Sequence, residues 1–215
     1  MRYKRCRDLF GEYFTVLQQS KVIILGVGGV GGYALDCLYK SGVTDITIVD
    51  YDIFEVSNQN RQIGSEAIGV SKVKHLKTLY PNIKTIEQKI DIDWVENFDM
   101  SSYDIIIDAI DDIKPKVQII NKYYKKLISS TGSAKRINPL DIEYIDIFKT
   151  YNDPFAKKIR EELKKIKFNK KFKVVFSSEL PKSKELGSFV GVTGSFGLAM
   201  CSVAIKKLLS EKTIK

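Results

Sequence analysis

Short apolar runs, set between stretches whose apolar residues recur at helical spacing, organise this chain. Residues 21–26 (KVIILG) form an apolar run that ends in glycine and predicts a buried strand. Residues 30–41 follow with Ala34, Leu35 and Leu38 on one helical face. Residues 45–50 (DITIVD), 83–90 (IKTIEQKI) and 103–108 (YDIIID) predict further strands. A helix pattern over 114–126 opens with Pro115 in its first turn, where a missing N–H costs nothing. Residues 127–130 predict a short strand before Gly132. After Pro139 the pattern predicts a strand over 141–148, a basic helix over 154–167 and a strand over 173–177. An exposed loop over 180–190 and an apolar helix to about Leu209 close the chain. Strands alternating with helices predict an α/β fold with a doubly wound, mostly parallel sheet, a C-terminal α/β extension and an apolar closing helix.

Charge changes this picture in one region. Residues 114–184 hold 19 Lys+Arg against 7 Asp+Glu, whereas the rest of the chain is slightly acidic. A basic segment attached to a near-neutral one suggests a polyanionic partner, with a solvated lysine face as the alternative reading. Cys6, Cys37 and Cys201 stand far apart and form no C-x-x-C pair, which excludes a cysteine zinc site and a thioredoxin-type motif. Scattered thiols fit a reducing cytosol, and Cys201 is expected as a lone, inert core thiol. The first residues lack an apolar core, so no secretory signal is expected. Residues 189–205 carry no charge and reach the low edge of membrane-spanning length. Their three glycines favour a buried packing helix; a membrane span is the alternative, with contact at a membrane surface also open.

The first candidate chemistry is Gly26-Val27-Gly28-Gly29-Val30-Gly31, a G-x-G-x-x-G that follows a strand and opens a helix. Glycine there lets the backbone approach a phosphate, and the helix N-terminus presents free N–H groups to it. Asp50 ends the next strand, where a carboxylate bonds ribose hydroxyls. These residues specify a nucleotide and not which one; a nicotinamide dehydrogenase satisfies them equally.

The next stretch argues for different chemistry. After Asp50 come Asp52, Asn58, Arg61, Gln62 and Lys72, more cations than a dehydrogenase needs. Guanidinium and ammonium groups suit the clamping of phosphates and the neutralising of a leaving pyrophosphate. Asp108-Ala109-Ile110-Asp111 ends a central strand at its carboxyl edge, where ligands bind in open sheets. A carboxylate there can hold Mg²⁺, which screens a triphosphate against an attacking carboxylate.

Taken in order, G-x-G-G-x-G, D-x-D, S-N-x-x-R-Q, G-x-x-K and D-x-x-D resemble the ThiF/MoeB/HesA family, relatives of the ubiquitin-activating enzymes. The resemblance implies a Rossmann-like fold and adenylation of a carboxylate with ATP and Mg²⁺. It implies phosphate-approaching glycines at Gly26, Gly28, Gly29 and Gly31, and a ribose contact at Asp50 with Asp52 beside it. Ser57, Asn58 and Gln62 would contact the nucleotide, Arg61 and Lys72 the phosphates, and Asp111 the Mg²⁺. Arg2-Tyr3-Lys4-Arg5 matches the family's R-Y-x-R, which implies a homodimer in which Arg5 reaches the partner's ATP.

The second half resembles the tRNA threonylcarbamoyladenosine dehydratase branch through Thr131-Gly132-Ser133, Asn138-Pro139, the D-P-F-A-K run at Asp153, the V-F-S-S-E run at Val175 and the closing T-G-S-F-G helix. The expected substrate is then a tRNA, adenylated on its threonyl carboxylate at tRNA position 37 and cyclised with release of AMP. Internal attack between tethered groups needs no enzyme nucleophile, consistent with the lack of cysteine between Cys37 and Cys201. The alternative within the family is an adenylyltransferase for the Gly-Gly tail of a ubiquitin-like sulfur carrier, and a third reading is a non-catalytic nucleotide-binding module or a dehydrogenase. A sulfur-transfer or redox protein stays open as a further partner; zinc is not expected. The chain is expected as one domain: an arm over 1–20, a nucleotide-binding core over 21–132 and a substrate- and tRNA-contacting part over 133–215. Its expected location is the cytoplasm, with membrane association through the closing helix left open.

Overall fold

The computed structural model describes residues 2–213, with side chains described through Ser210. Two helices, α1 (Lys4–Phe10) and α2 (Phe14–Gln19), form the N-terminal arm. Then follow β1 (Lys21–Leu25), α3 (Gly31–Lys40), β2 (Asp45–Val49), α4 (Lys72–Leu79), β3 (Lys84–Ile86), α5 (Ile92–Asn97), β4 (Ile105–Asp108), α6 (Ile113–Tyr123) and β5 (Leu127–Ser130). The second half adds β6 (Ile142–Asp146), α7 (Pro154–Lys165), β7 (Lys173–Ser177) and α8 (Val190–Thr213). Strand order is β3-β2-β1-β4-β5-β7-β6, with β6 antiparallel to β7 and the remaining pairs parallel. The α/β, mostly parallel, doubly wound architecture therefore holds.

Strand order reverses between β1 and β4. Helices leave these two strands toward opposite faces, so their carboxyl ends open a crevice. The central strands are buried on both faces, hence their unbroken runs such as Ile105-Ile106-Ile107. One core cluster packs Leu35, Leu38, Val73, Leu76 and Phe196 against one face; the other packs Val95, Ile120, Ile159 and Leu163 against the opposite face.

Helix α8 is long and apolar enough to cross a membrane by length and composition, yet half of its span is buried in the protein. Val192, Phe196, Met200 and Ala204 join the core cluster beside α3. Gly194 and Gly197 meet Tyr33, and a Cβ on Gly197 would run into the backbone of Val30 and Ala34. The two helices thus touch backbone to backbone behind the glycine loop. Cys201, expected as a lone thiol, is instead bonded to Cys37 on α3, with Cα atoms 6.1 Å apart.

Two other expectations change, and one helix was not foreseen. The strand expected over 83–90 shrinks to Lys84–Ile86, because this edge strand has only β2 to pair with and residues 88–90 turn over the crevice. Helix α1 buries no residue, so it carries no apolar period to read. The basic segment does not form one surface. Because β7 runs parallel to β5, Lys171 and Lys173 fall at the amino edge of the sheet, opposite the crevice. There they line a cavity of about 580 Å³ with Lys125, Lys149 and Lys207.

Gly197→Val should overpack this helix contact at a cost of about 1–3 kcal/mol. For a chain of this size the melting midpoint should then fall by roughly 2–12 °C. An unchanged midpoint in a thermal scan would contradict the close approach of α8 to α3.

Candidate active site

The crevice between the carboxyl ends of β1 and β4 is a cavity of about 510 Å³. Its floor is the glycine loop. Gly26 adopts φ +80°, and a Cβ there would stand 3.2 Å from the Ala109 carbonyl oxygen. Gly28 and Gly29 face the side chains of Gln62 and Arg61, so any larger residue would fill the cradle. Gly31 lies outside the cavity; it opens α3 and packs against the loop's own carbonyl at Gly26.

Asp50, Asp52, Asn58, Arg61, Gln62, Lys72 and Asp111 all line this cavity. Asp50 is 7% exposed. Its Oδ2 accepts the Val27 N–H at 2.8 Å and its Oδ1 the Asp52 N–H at 2.9 Å, which fixes the glycine loop to the end of β2. Burial raises its carboxyl above the usual range, against the lowering effect of those N–H groups and of Lys72. Lys72, 6% exposed at its side chain, donates to Asp52 Oδ2 at 2.9 Å. Asn58 closes a short capping box with Glu55, which orders the S-N-x-x-R-Q turn. Arg61 donates to the Ser57 carbonyl at 2.6 Å and to Asn60 Oδ1 at 2.9 Å. Gln62 Oε1 is buried without a hydrogen-bond partner, an acceptor held ready beside the glycines.

A second cavity of about 1020 Å³ adjoins the first. The two share Arg61, Asp111 and the 109–110 backbone as common wall. Ser57 lies in this second cavity rather than with the other predicted nucleotide residues. Arg5 lies in neither; it is exposed on α1.

Two buried cations were not singled out from the sequence. Lys116 is fully buried; its ammonium donates to Asp108 Oδ2 at 2.7 Å, the Ser130 carbonyl at 3.1 Å and Ser129 Oγ at 3.2 Å. Burial pushes its pKa down, against the raising effect of Asp108. Its spacing to Ile119, Ile120 and Tyr123 on α6, an inward-facing lysine, was the available signal. Arg136, 3% exposed, donates to the carbonyls of Gly132, Ala134, Asn152 and Glu179. It stands 3.8 Å from Asp153 Oδ2, which is buried without a hydrogen-bond partner. Asp153 Oδ1 meanwhile caps α7 through the N–H groups of Phe155 and Ala156. Arg136 thereby ties together three segments that wall the second cavity.

A nucleotide-sized cradle thus adjoins a larger cavity, with Arg61 and Asp111 in the wall between them. The ThiF family description matches residues 3–215. The chain belongs to the ThiF family. Among curated relatives it is 36% identical over 181 residues to the tRNA threonylcarbamoyladenosine dehydratase of Bacillus subtilis, covering 79% of this chain and 71% of that one. It is 29% identical over 253 residues to the Escherichia coli dehydratase, covering 98% of this chain and 94% of that one. The crystal structure of the E. coli dehydratase in complex with ATP superposes with a TM-score of 0.93 at 29% identity, over 100% of this chain and 96% of the other. E. coli MccB with ATP, at 20% identity and a TM-score of 0.64 over 98% of this chain and 64% of the other, shares the fold.

Removing Arg136 takes the guanidinium away from four carbonyls, of which that of Glu179 is buried, and from the buried Asp153 carboxylate. Arg136→Met should cost about 3–5 kcal/mol. Limited proteolysis should then cut within 131–138 or 179–187 before the rest of the chain. Equal protection of those segments in variant and wild type would contradict the tie.

Proposed function

We propose that this ThiF-family protein is an ATP-dependent tRNA threonylcarbamoyladenosine dehydratase. The observation that carries the reading is the shared wall of the two cavities. A nucleotide in the first and a carboxylate in the second would meet at Arg61 and Asp111. The similarity to the B. subtilis and E. coli dehydratases over most of the chain supports the choice of substrate.

The residues fit ATP. Gly26, Gly28 and Gly29 leave the backbone bare for a triphosphate at the N-terminus of α3, where anions are stabilised. Gln62 Oε1 offers a buried acceptor to a ligand N–H or O–H group. Asp50 retains acceptor capacity for ribose hydroxyls beyond its two backbone bonds. Arg61 and Lys72 would neutralise the phosphates; Ser57 and Asn58 would complete the nucleotide contacts. Asp111, exposed at the cavity mouth, is the carboxylate placed to hold Mg²⁺, which would screen the triphosphate.

The threonyl carboxylate oxygen attacks the α-phosphorus, and pyrophosphate leaves with its charge met by Arg61 and Lys72. The tethered threonylcarbamoyl group then attacks the acyl carbon, loses a proton and expels AMP. Holding the two groups in one cavity supplies the orientation that this closure needs. Lys135, which lines the second cavity, and Lys182 and Lys184, which flank its lining residue Ser183, would seat tRNA phosphates.

In a strain lacking this protein, tRNA nucleosides should show the open threonylcarbamoyl form by mass spectrometry. Wild-type protein should restore the cyclic form, and Arg61→Ala should not, since loss of one preorganised phosphate contact costs ~10²-fold or more. An unchanged cyclic nucleoside in the deletion strain would overturn the reading.

Arg5 has no role at its own site in this arrangement, because α1 lies away from both cavities. A homodimer in which it reaches the partner's nucleotide predicts that Arg5→Ala and Asp111→Asn are each inactive alone. Mixing the two should restore part of the activity through heterodimers with one intact site. No recovery after confirmed subunit exchange would exclude the trans role.

A further inference from the structure

We infer that the buried Lys116–Asp108 ion pair positions the turn after β4, residues 109–112, and so fixes where Asp111 stands between the two cavities. Neither residue lines either cavity, so both act through the turn and neither touches substrate. The inference rests on the adenylation reading above.

The pair is fully used. Lys116 and Asp108 are both 0% exposed. The three ammonium protons of Lys116 meet three acceptors, on β4 and on the last two residues of β5. Asp108 Oδ2 also accepts Ser129 Oγ at 2.6 Å, while Oδ1 turns back to accept the Ile110 N–H at 3.2 Å. One carboxylate therefore holds the neighbouring strand with one oxygen and the first bend of the turn with the other. The rest of the turn is held from the opposite side. The Ala109 N–H donates to the Leu25 carbonyl at 2.9 Å, and the Ala109 carbonyl lies against Gly26. Asp112 then caps α6 by accepting the Lys114 N–H at 3.1 Å. Residues 109–112 are thus anchored at the glycine loop, at β5 and at the helix that carries Lys116.

A buried ion pair is a poor means of stabilising a core. Apolar residues of similar volume often hold a protein together as well or better, whereas removing one partner alone is strongly destabilising. What apolar residues cannot reproduce is the directed bond from Asp108 Oδ1 to the Ile110 N–H. This separates stability from position experimentally. A displacement of about 1 Å at a reacting group is enough to cost ~10²-fold in rate.

The test pairs Asp108→Val with Lys116→Met in one protein and compares it with wild type and with each single variant. The single variants should melt well below wild type, and the double variant within a few degrees of it. In the double variant, ATP–pyrophosphate exchange in the presence of threonylcarbamoylated tRNA should fall in kcat by about 10²-fold. The KM for ATP and ATP binding by calorimetry without Mg²⁺ should stay within about threefold, because the glycine loop is intact. Hydrogen exchange at the 109–112 amides should accelerate, with β1 and β2 unchanged. A folded double variant with kcat within threefold of wild type and unaltered exchange at 109–112 would overturn the inference. If the double variant does not fold, Ser129→Ala decides: it removes the hydroxyl's bonds to Asp108 and Lys116 and should lower kcat by about tenfold with the KM for ATP within about threefold. A kcat within twofold would overturn the inference equally. Wild type that neither binds ATP nor exchanges pyrophosphate overturns the adenylation reading itself, which is a different outcome from normal wild type with an unaltered variant.

Discussion

The structure depends on a backbone contact that only glycine permits. At Gly26 the chain leaves β1 with φ +80°, its N–H bonded to the Val49 carbonyl and its bare Cα facing the carbonyl of Ala109. The next residue on that side, Ala109, returns a hydrogen bond to Leu25. The ends of β1, β2 and β4 are therefore locked to one another at the point where strand order reverses. Asp50 completes the lock from β2 through the Val27 N–H. With no side chain in the gap, the N-terminus of α3 and the 109–112 turn face each other across a cleft that admits phosphate.

Behind that cleft the protein places buried charge where a core ordinarily places hydrocarbon. Lys116 sits under the wall shared by the two cavities, and Arg136 under the outer wall of the second. Arg136 is surrounded chiefly by loop carbonyl oxygens, and Lys116 by a carboxylate, a hydroxyl and a carbonyl at strand ends. Such groups are costly to leave unpaired and directional when paired. Loops held by these bonds have few alternative arrangements, which suits a reaction that depends on placing a carboxylate against a phosphorus atom.

Much of this was legible in the residues themselves. Strands β1, β4 and β7 are near-continuous apolar runs, because parallel strands with helices on both faces have no polar side to alternate. The glycine loop and the S-N-x-x-R-Q turn are local, and each residue's neighbour in sequence is its neighbour in space. What the pattern did not reveal depends on pairing at a distance. β3 is short because an edge strand lacks a second neighbour. The direction of β6 follows from its pairing with β7, about thirty residues on. Cys37 and Cys201 meet only because Gly194 and Gly197 let α8 lie against α3. Lys116 and Arg136 read as ordinary surface charges until the fold surrounds them. The lysine-rich stretch was divided between two edges of the sheet by the direction of one strand.

The account stands on one chemical event, transfer of a carboxylate oxygen to the α-phosphorus of ATP at the wall shared by the two cavities. It is tested most directly with tRNA whose threonylcarbamoyl carboxylate is labelled with heavy oxygen, incubated with this protein, ATP and Mg²⁺. Adenylation followed by ring closure sends one labelled carboxylate oxygen into AMP and leaves the other in the cyclic product. Mass spectrometry should therefore find label in AMP, in proportion to the ring formed, and none in pyrophosphate. Label in inorganic phosphate with ADP as the nucleotide product, or cyclised tRNA alongside unlabelled AMP, would contradict it.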